Sequence, residues 1–267
     1  MRRSLVLRLR VITLATVLAL VGVGIVSLYV LWLSQPTYRG QPLSWWLERR
    51  QLARANGIPF EENIASEGIR HIGTNALPVL LGMLRTRDGR LKQVVMGWPA
   101  IQPLTKFLFT PADRVRAKAF GGYMALGTTA SGQIPALSEL LTNDRLPSVR
   151  ALAAGVFGFI ALDDADRAAP ALLKATKDKD KDVRNGAFWS LSRIHSRPET
   201  TIPILIEGLD DSFDVARENA AAALGYNYGP EAKAAVPALL RTLTINRAAS
   251  SALLQIDPEA AANAGVK

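Results

Sequence analysis

A period of about 34 residues runs through most of the chain, and it leaves few folds open. Arg116, Arg150, Arg184 and Arg217 are spaced 34, 34 and 33 apart, and each is followed three positions later by Ala119, Ala153, Ala187 or Ala220. A second series, Pro135-Ala136-Leu137, Pro170-Ala171-Leu172, Pro203-Ile204-Leu205 and Pro237-Ala238-Leu239, is spaced 35, 33 and 34. Two independent series with one period mark a repeat architecture, in which no unit buries its apolar side alone and each must stack on its neighbours.

The content of the unit follows from its anchors. Proline is best tolerated in the first helical turn, where its missing N–H would have no partner, so each proline is expected to start a helix B. Each arginine precedes its proline by 19 or 20 residues, room for a helix A of about a dozen residues and a turn. Apolar residues recur at helical spacing, as in Ala153, Val156, Phe157 and Ile160 or Ala187, Ser190, Leu191 and Ile194, with no sustained alternation. The expected fold class is all-α, an α-solenoid of helical hairpins whose inner B-helix face is long and continuous. Ala65, Ile69 and Ile72 with Pro78-Val79-Leu80 read as an earlier unit, and residues 90–108 as a shortened one. At the far end residues 246–256 match a helix A, and Asp257-Pro258-Glu259 starts a short last helix, as a terminal cap would.

Ahead of the repeats, residues 11–33 contain no charge, proline or side-chain amide, and 14 of them are Val, Ile or Leu. At ~1.5 Å per residue this run reaches about 34 Å, enough for a ~30 Å hydrocarbon core, and its insertion is favoured by about 6 kcal/mol. A cleaved signal peptide has a shorter apolar region ending in small residues, whereas this run ends Tyr29-Val30-Leu31-Trp32-Leu33, which fits a retained anchor. Arg2, Arg3, Arg8 and Arg10 favour a cytoplasmic amino terminus and an extracytoplasmic solenoid; Arg39, Arg49, Arg50 and Arg54 beyond the run act against that orientation. The expected organisation is a basic tail (1–10), a transmembrane signal anchor (11–33), a juxtamembrane segment with a short helix (34–58) and a solenoid of five to six units (59–267).

The units "VRALAAGVFGFI" and "VARENAAAALGY", each followed by "AAPALL" or "AVPALL", resemble those of bacterial HEAT-repeat proteins, including the phycobilisome-lyase-like subgroup, over about residues 59–260. Tyr38-x-Gly40-x-Pro42-Leu43-Ser44-x-Trp46-Leu47, with "IRHIGTNALPVLL" after it, is similar to a bacterial membrane-anchored HEAT-repeat family. The resemblance implies an α-solenoid and no particular reaction, because such folds host many partners and few chemistries.

The residues agree with that. There is no cysteine, and no G-x-S-x-G, P-loop, G-x-G-x-x-G or H-E-x-x-H pattern. His71 and His195 are not followed by glutamate, unlike the His-Glu pairs by which HEAT-type iron hydroxylases hold metal, and they read as surface or packing residues. No catalytic, cofactor-binding or metal-binding residue is expected, and no cofactor. The formal charge is +9, but from residue 34 onward 28 basic residues face 23 acidic ones, a surplus of +5 that serves solubility.

Local features carry two readings each. Asp113, Asp144, Asp178, Asp180, Asp182, Asp210, Asp211 and Asp214 precede or flank the repeated arginines and read as a ladder that caps helices and pairs with them; the other reading is ligand binding. Arg85, Arg87, Arg90, Lys92, Lys106, Arg114, Arg116 and Lys118 give residues 85–118 a charge of +6, as solvated surface, as a contact for an acidic protein or lipid, or as a phosphate track. Trp45 and Trp46 either cap the first apolar face of the solenoid or rest among lipid headgroups, and Trp189 is expected in the core. The leading expectation is a membrane-tethered scaffold or adaptor for a protein partner. The alternatives are nucleic-acid binding through 85–118, or an enzyme or enzyme subunit resembling the bilin-lyase-like HEAT proteins.

Overall fold

In the computed structural model, residues 34–89, 92 and 110–266 are described. The expected anchor (11–33), the basic tail and most of the expected shortened unit lie outside them. Among the described residues no helix is long and apolar enough to cross a membrane. The described residues fall in two units that part after Ile72.

The first unit opens with a β-hairpin, β1 (Thr37–Tyr38) paired to β2 (Gln41–Pro42), which an all-α reading did not foresee. Its turn residues Arg39 and Gly40 both have positive φ, the geometry of a tight two-residue hairpin turn. At two residues each, these strands form no layer. Helices α1 (Leu43–Ala55) and α2 (Pro59–Ile72) then pack side by side. Arg50 fastens them: it donates through Nε to Ser66 Oγ (3.0 Å) and pairs with Glu62 at 2.9 Å, while Ser66 Oγ donates to the Glu62 carbonyl. Trp46 covers Gly68 so closely that a Cβ there would lie 2.4 Å from its ring.

The second unit carries the repeats. The A helices are α4 (Ala112–Leu126), α6 (Pro147–Ile160), α8 (Lys181–Leu191), α10 (Asp214–Ala223) and α12 (Arg247–Ile256). The B helices are α3 (Leu77–Leu84), α5 (Ile134–Asn143), α7 (Ala165–Ala175), α9 (Pro198–Gly208), α11 (Val236–Thr242) and the short terminal α13 (Pro258–Asn263). Each A helix packs against the A helices before and after it, and α5, α7, α9 and α11 each pack against the A helix that follows. The repeated Ala119, Ala153, Ala187 and Ala220 are fully buried in these contacts. So are Leu80, Leu137, Leu172, Leu205 and Leu239, the leucine two places after each anchoring proline, each worth roughly 2 kcal/mol of apolar burial. Between A helices, Ser190 Oγ donates to the Ala154 carbonyl (2.6 Å) and accepts from Gly158 N–H (3.0 Å), and Asn219 donates to Asn185 across one repeat.

The prolines divide into two groups, which corrects the expectation that each begins a helix. Pro78, Pro135 and Pro237 do stand at the start of α3, α5 and α11, but Pro170 and Pro203 lie six residues into α7 and α9. The difference originates at the end of the preceding helix. Gly73, Gly127 and Gly229 have positive φ and open 3-10 turns (Gly73–Ala76, Gly127–Gln133, Gly229–Ala235) that run up to the proline. Where Ala161 and His195 occupy the corresponding place, helix B starts earlier and continues through the proline. The cost is one N–H bond, to the carbonyl of Asp166 or Glu199, and both residues are exposed to water.

The closest approach of an A-helix glycine to the backbone of the next A helix is at Gly225, in the π-turn Leu224–Tyr228, where a Cβ would lie 2.8 Å from the Ala252 Cα. Backbone cannot swing aside as a side chain can. Gly225→Ala is therefore expected to lower stability by about 1–3 kcal/mol in denaturant unfolding, with α12 losing amide protection first.

Candidate partner-binding surface

One edge of the repeat unit is closed by an arginine–aspartate relay. Arg150 donates through Nε and Nη2 to the two carboxylate oxygens of Asp178, both at 2.8 Å, and Arg184 does the same to Asp211 at 2.7 and 2.9 Å. The remaining Nη1 of each reaches back to the turn ahead of its own helix: Arg150 to the Asp144 carbonyl, Arg184 to the Asp178 carbonyl, Arg217 to the Asp211 carbonyl. Each aspartate also accepts from the backbone N–H two residues on, Asp144 from Leu146, Asp178 from Asp180 and Asp211 from Phe213. These are turn-forming bonds. Only Asp180 caps a helix directly among the ladder aspartates whose caps are described, accepting from Asp182 and Val183.

The relay explains why a cation is kept in the first turn, where the helix dipole opposes it. Arg150 and Arg184 satisfy two turns at once, and their side chains are each 15% exposed. The Arg150 guanidinium holds the Asp178 carboxyl below the usual carboxylate range. At Asp211 burial alone would push the carboxyl up, and the Arg184 and Phe213 hydrogen bonds outweigh it, so it too is lowered. Both ends of the relay are irregular. Arg87, not Arg116, takes the Asp144 carboxylate at 2.9 and 3.0 Å, while Arg116 donates to the Thr86 carbonyl and leaves its Nε buried without a partner. At the other end Thr244 stands where the earlier turns have Asp178 and Asp211, and Arg217 Nε is also buried without a partner.

The B-helix face is exposed at every anchoring proline: Pro78, Pro135, Pro170, Pro203 and Pro237. At the carboxy-terminal ends of neighbouring B helices, Lys177 meets Glu207 at 3.2 Å and Arg241 meets Asp210 at 3.4 Å, both pairs more than 60% exposed. Such pairs contribute well under 1 kcal/mol each.

The A-helix side carries a different chemistry. Phe120 of α4 meets Phe159 of α6 edge-on with centroids 5.8 Å apart, and Phe159 meets Trp189 of α8 at 5.1 Å. The Arg193 guanidinium lies over both Phe159 and Trp189, 5.1 Å from each ring, and its Nε donates to the Gly158 carbonyl at 2.7 Å. The three rings are half-buried and Arg193 is exposed. Trp189 is thus not the core residue that the sequence suggested; its neighbour Phe188, 2% exposed, fills the interior. The sequence reading missed this stripe because its members occupy different places in their repeats: Phe120 and Trp189 lie four and five residues after the repeat arginine, Phe159 and Arg193 nine.

The other singled-out residues are dispersed. His71 stacks on Tyr38 with centroids 4.3 Å apart, and His195 Nδ1 lies 2.9 Å from the Asn227 carbonyl. No group of three or more metal-ligating side chains is found among the described residues. Trp46 is buried in the α1–α2 interface, and Trp45 remains half-exposed beside it with Arg49 over its ring. Within 85–118, Arg87 and Arg116 are engaged as above, and Lys92 pairs with Asp88 and donates to the Thr110 carbonyl. Arg90 and Lys106 lie outside the described residues.

Residues 134–225 match the sequence family described as HEAT repeats. Over that stretch the helical hairpins are similar to HEAT repeats. The matched segment holds the relay from Asp144 to Arg217 and two of the three rings of the aromatic stripe. No curated protein matches the chain.

Three outcomes are expected of the relay. Asp211→Ala should cost about 2 kcal/mol, because it removes the carboxylate from a half-buried Arg184 and leaves it only the Asp178 and Lys179 carbonyls and Ser212, whereas Asp210→Ala, at a 63% exposed pair, should cost under 1 kcal/mol. Because the folded-state values of Asp178 and Asp211 lie below those of the unfolded chain, their stabilisation is complete above the ordinary carboxylate range and is lost as pH falls through the lowered values. The acid limb of a melting-temperature profile should flatten in Asp211→Ala. Thr244→Asp should give Arg217 Nε its missing acceptor and raise stability by about 1 kcal/mol in the same denaturant assay.

Proposed function

We propose that this chain is a membrane-tethered, non-enzymatic scaffold that holds a protein partner through the surface of its HEAT-repeat array, with the stripe Phe120, Phe159, Trp189 and Arg193 as the contact. The observation that carries the reading is that stripe. Aromatic rings and arginine dominate the energetics of protein–protein contacts, and Arg193 is pre-oriented by two rings and a carbonyl, so little side-chain entropy remains to be lost on binding. The B-helix face supports the role less well, since the exposed charges Lys177, Glu207, Asp210 and Arg241 on that side are paired within the chain. The engaged cations at Arg87, Lys92 and Arg116 favour a protein over a phosphate backbone as the ligand.

The tether in this reading is the apolar run 11–33, with the amino terminus in the cytoplasm and the repeats on the other side. Its support is the length of that run and the four arginines ahead of it.

The test is a photo-reactive amino acid at position 189 in the full chain, cross-linked in intact cells. The expected result is a defined protein adduct that Arg193→Glu reduces at least tenfold while leaving the melting temperature within a few degrees. Adducts with lipid alone, or the same adducts at position 179 on the exposed turn, would contradict the assignment of the stripe.

A further inference from the structure

The connection between α1 and α2 is unusually apolar for the most exposed part of the first unit. Residues 54–60 are all exposed, and among them Ile58 is 42% and Phe60 74% accessible, with Leu52 one turn earlier at 54%. This is not a slack loop. Asn56 and Ile58 donate to the carbonyls of Leu52 and Ala53, Glu62 donates to the Ile58 carbonyl, and the hairpin behind is held by Arg50, Ser66 and Trp46. Leu52 lies seven residues after Trp45 and three after Arg49, hence on one helical face with both, and the Arg49 guanidinium sits over the Trp45 ring.

The occupant of this face is indicated by the chain that leads into it. The apolar run ends at residue 33, and by Pro36 the backbone is already fastened to α1: the Pro36 carbonyl accepts from Leu43 N–H, and Gln35 Oε1 accepts from Ser44 N–H. Three residues span at most about 10 Å, so the apolar run ends within about 15 Å of the start of α1. The helix itself is about 20 Å long. A tryptophan at its near end with an arginine guanidinium over its ring, and exposed Leu, Ile and Phe at its far end, are the composition of a segment lying in the interface plane of a bilayer.

We propose that the α1–α2 hairpin lies along the membrane surface, with Trp45, Leu52, Ile58 and Phe60 seated at the boundary between headgroups and acyl chains. The membrane contact then has two parts, a span and a surface hairpin joined to it by a short, fastened connection. This rests on the tethered reading above and goes beyond it by assigning a second, independent lipid-binding element.

The chain has no cysteine, so single substitutions give unique probes. Leu52→Cys, Phe60→Cys and, as control, Lys179→Cys would each be labelled with an environment-sensitive fluorophore in the full chain. Each is then reconstituted in phosphatidylcholine–phosphatidylglycerol vesicles carrying a nitroxide near the top of the acyl chain. Quenching at 52 and 60 should exceed that at 179 at least threefold, and Phe60→Asp should halve it at 52. Equal quenching at all three positions, in protein that resists alkaline carbonate extraction, overturns the hairpin proposal and leaves the tether intact. Strong quenching at 52 and 60 in protein that carbonate strips from the vesicles supports the surface contact and overturns the span. Neither quenching nor retention overturns both.

Discussion

The close approach of successive A helices is the constraint on which the rest of the molecule depends. A two-helix unit of this size has one apolar side and nothing within itself to bury it against, so its stability is borrowed from the units before and after it. The approach is possible because the facing positions are occupied by the smallest side chains: Ala119, Ala153, Ala187 and Ala220 are fully buried, and a Cβ on Gly186 would sit 3.0 Å from the Ala151 carbonyl. At that separation the polar groups of the helices must be met across the joint, and they are: Ser190 bridges Ala154 and Gly158, and Asn227 donates to the Leu191 and Ile194 carbonyls at the end of α8.

The arginine–aspartate relay is the second consequence of the stack. Alanine contacts fix how near two repeats come but slide easily along the helix axis; a two-pronged Arg–carboxylate pair does not, because its geometry tolerates little shift. Arg150 and Arg184 therefore set register between repeats as well as satisfying turns. The same stacking leaves side chains at unequal places in their repeats free to meet diagonally on the A-helix side, and that is how Phe120, Phe159, Trp189 and Arg193 come together.

Much of this was legible from residue order alone, because the repeat is a local signal. The A-helix starts, the buried alanines, the pairing of arginines with turn aspartates and the capped terminal helices (Asn246 before α12, Asp257 before α13) follow from spacing and capping chemistry. The parts that were not legible depended on context. Whether Pro170 begins a helix is decided nine residues earlier by the absence of a glycine at Ala161. Whether Phe188 or Trp189 faces inward is a rotation of about 100° that a single-residue count does not resolve. The three rings of the stripe come from three different columns of the repeat, and the β-hairpin rests on a two-residue turn at Arg39 and Gly40 flanked by strands too short to show alternation.

Neighbour-to-neighbour burial is tested most directly by a disulfide introduced between adjacent A helices of this cysteine-free chain. The Cβ of residue 154 and a Cβ built on residue 186 lie 3.1 Å apart, so a disulfide, whose Cβ atoms stand about 3.5–4.5 Å apart, forms after a small outward shift of the two helices. Full-length protein carrying Ala154→Cys and Gly186→Cys should close that bond intramolecularly under mild oxidation, seen as one mass loss of two hydrogens, while Ala154→Cys with Ala220→Cys, two repeats apart, should stay reduced. Closure of the second pair and not the first would show that distant units touch where adjacent ones do not, and the stacked account would be wrong.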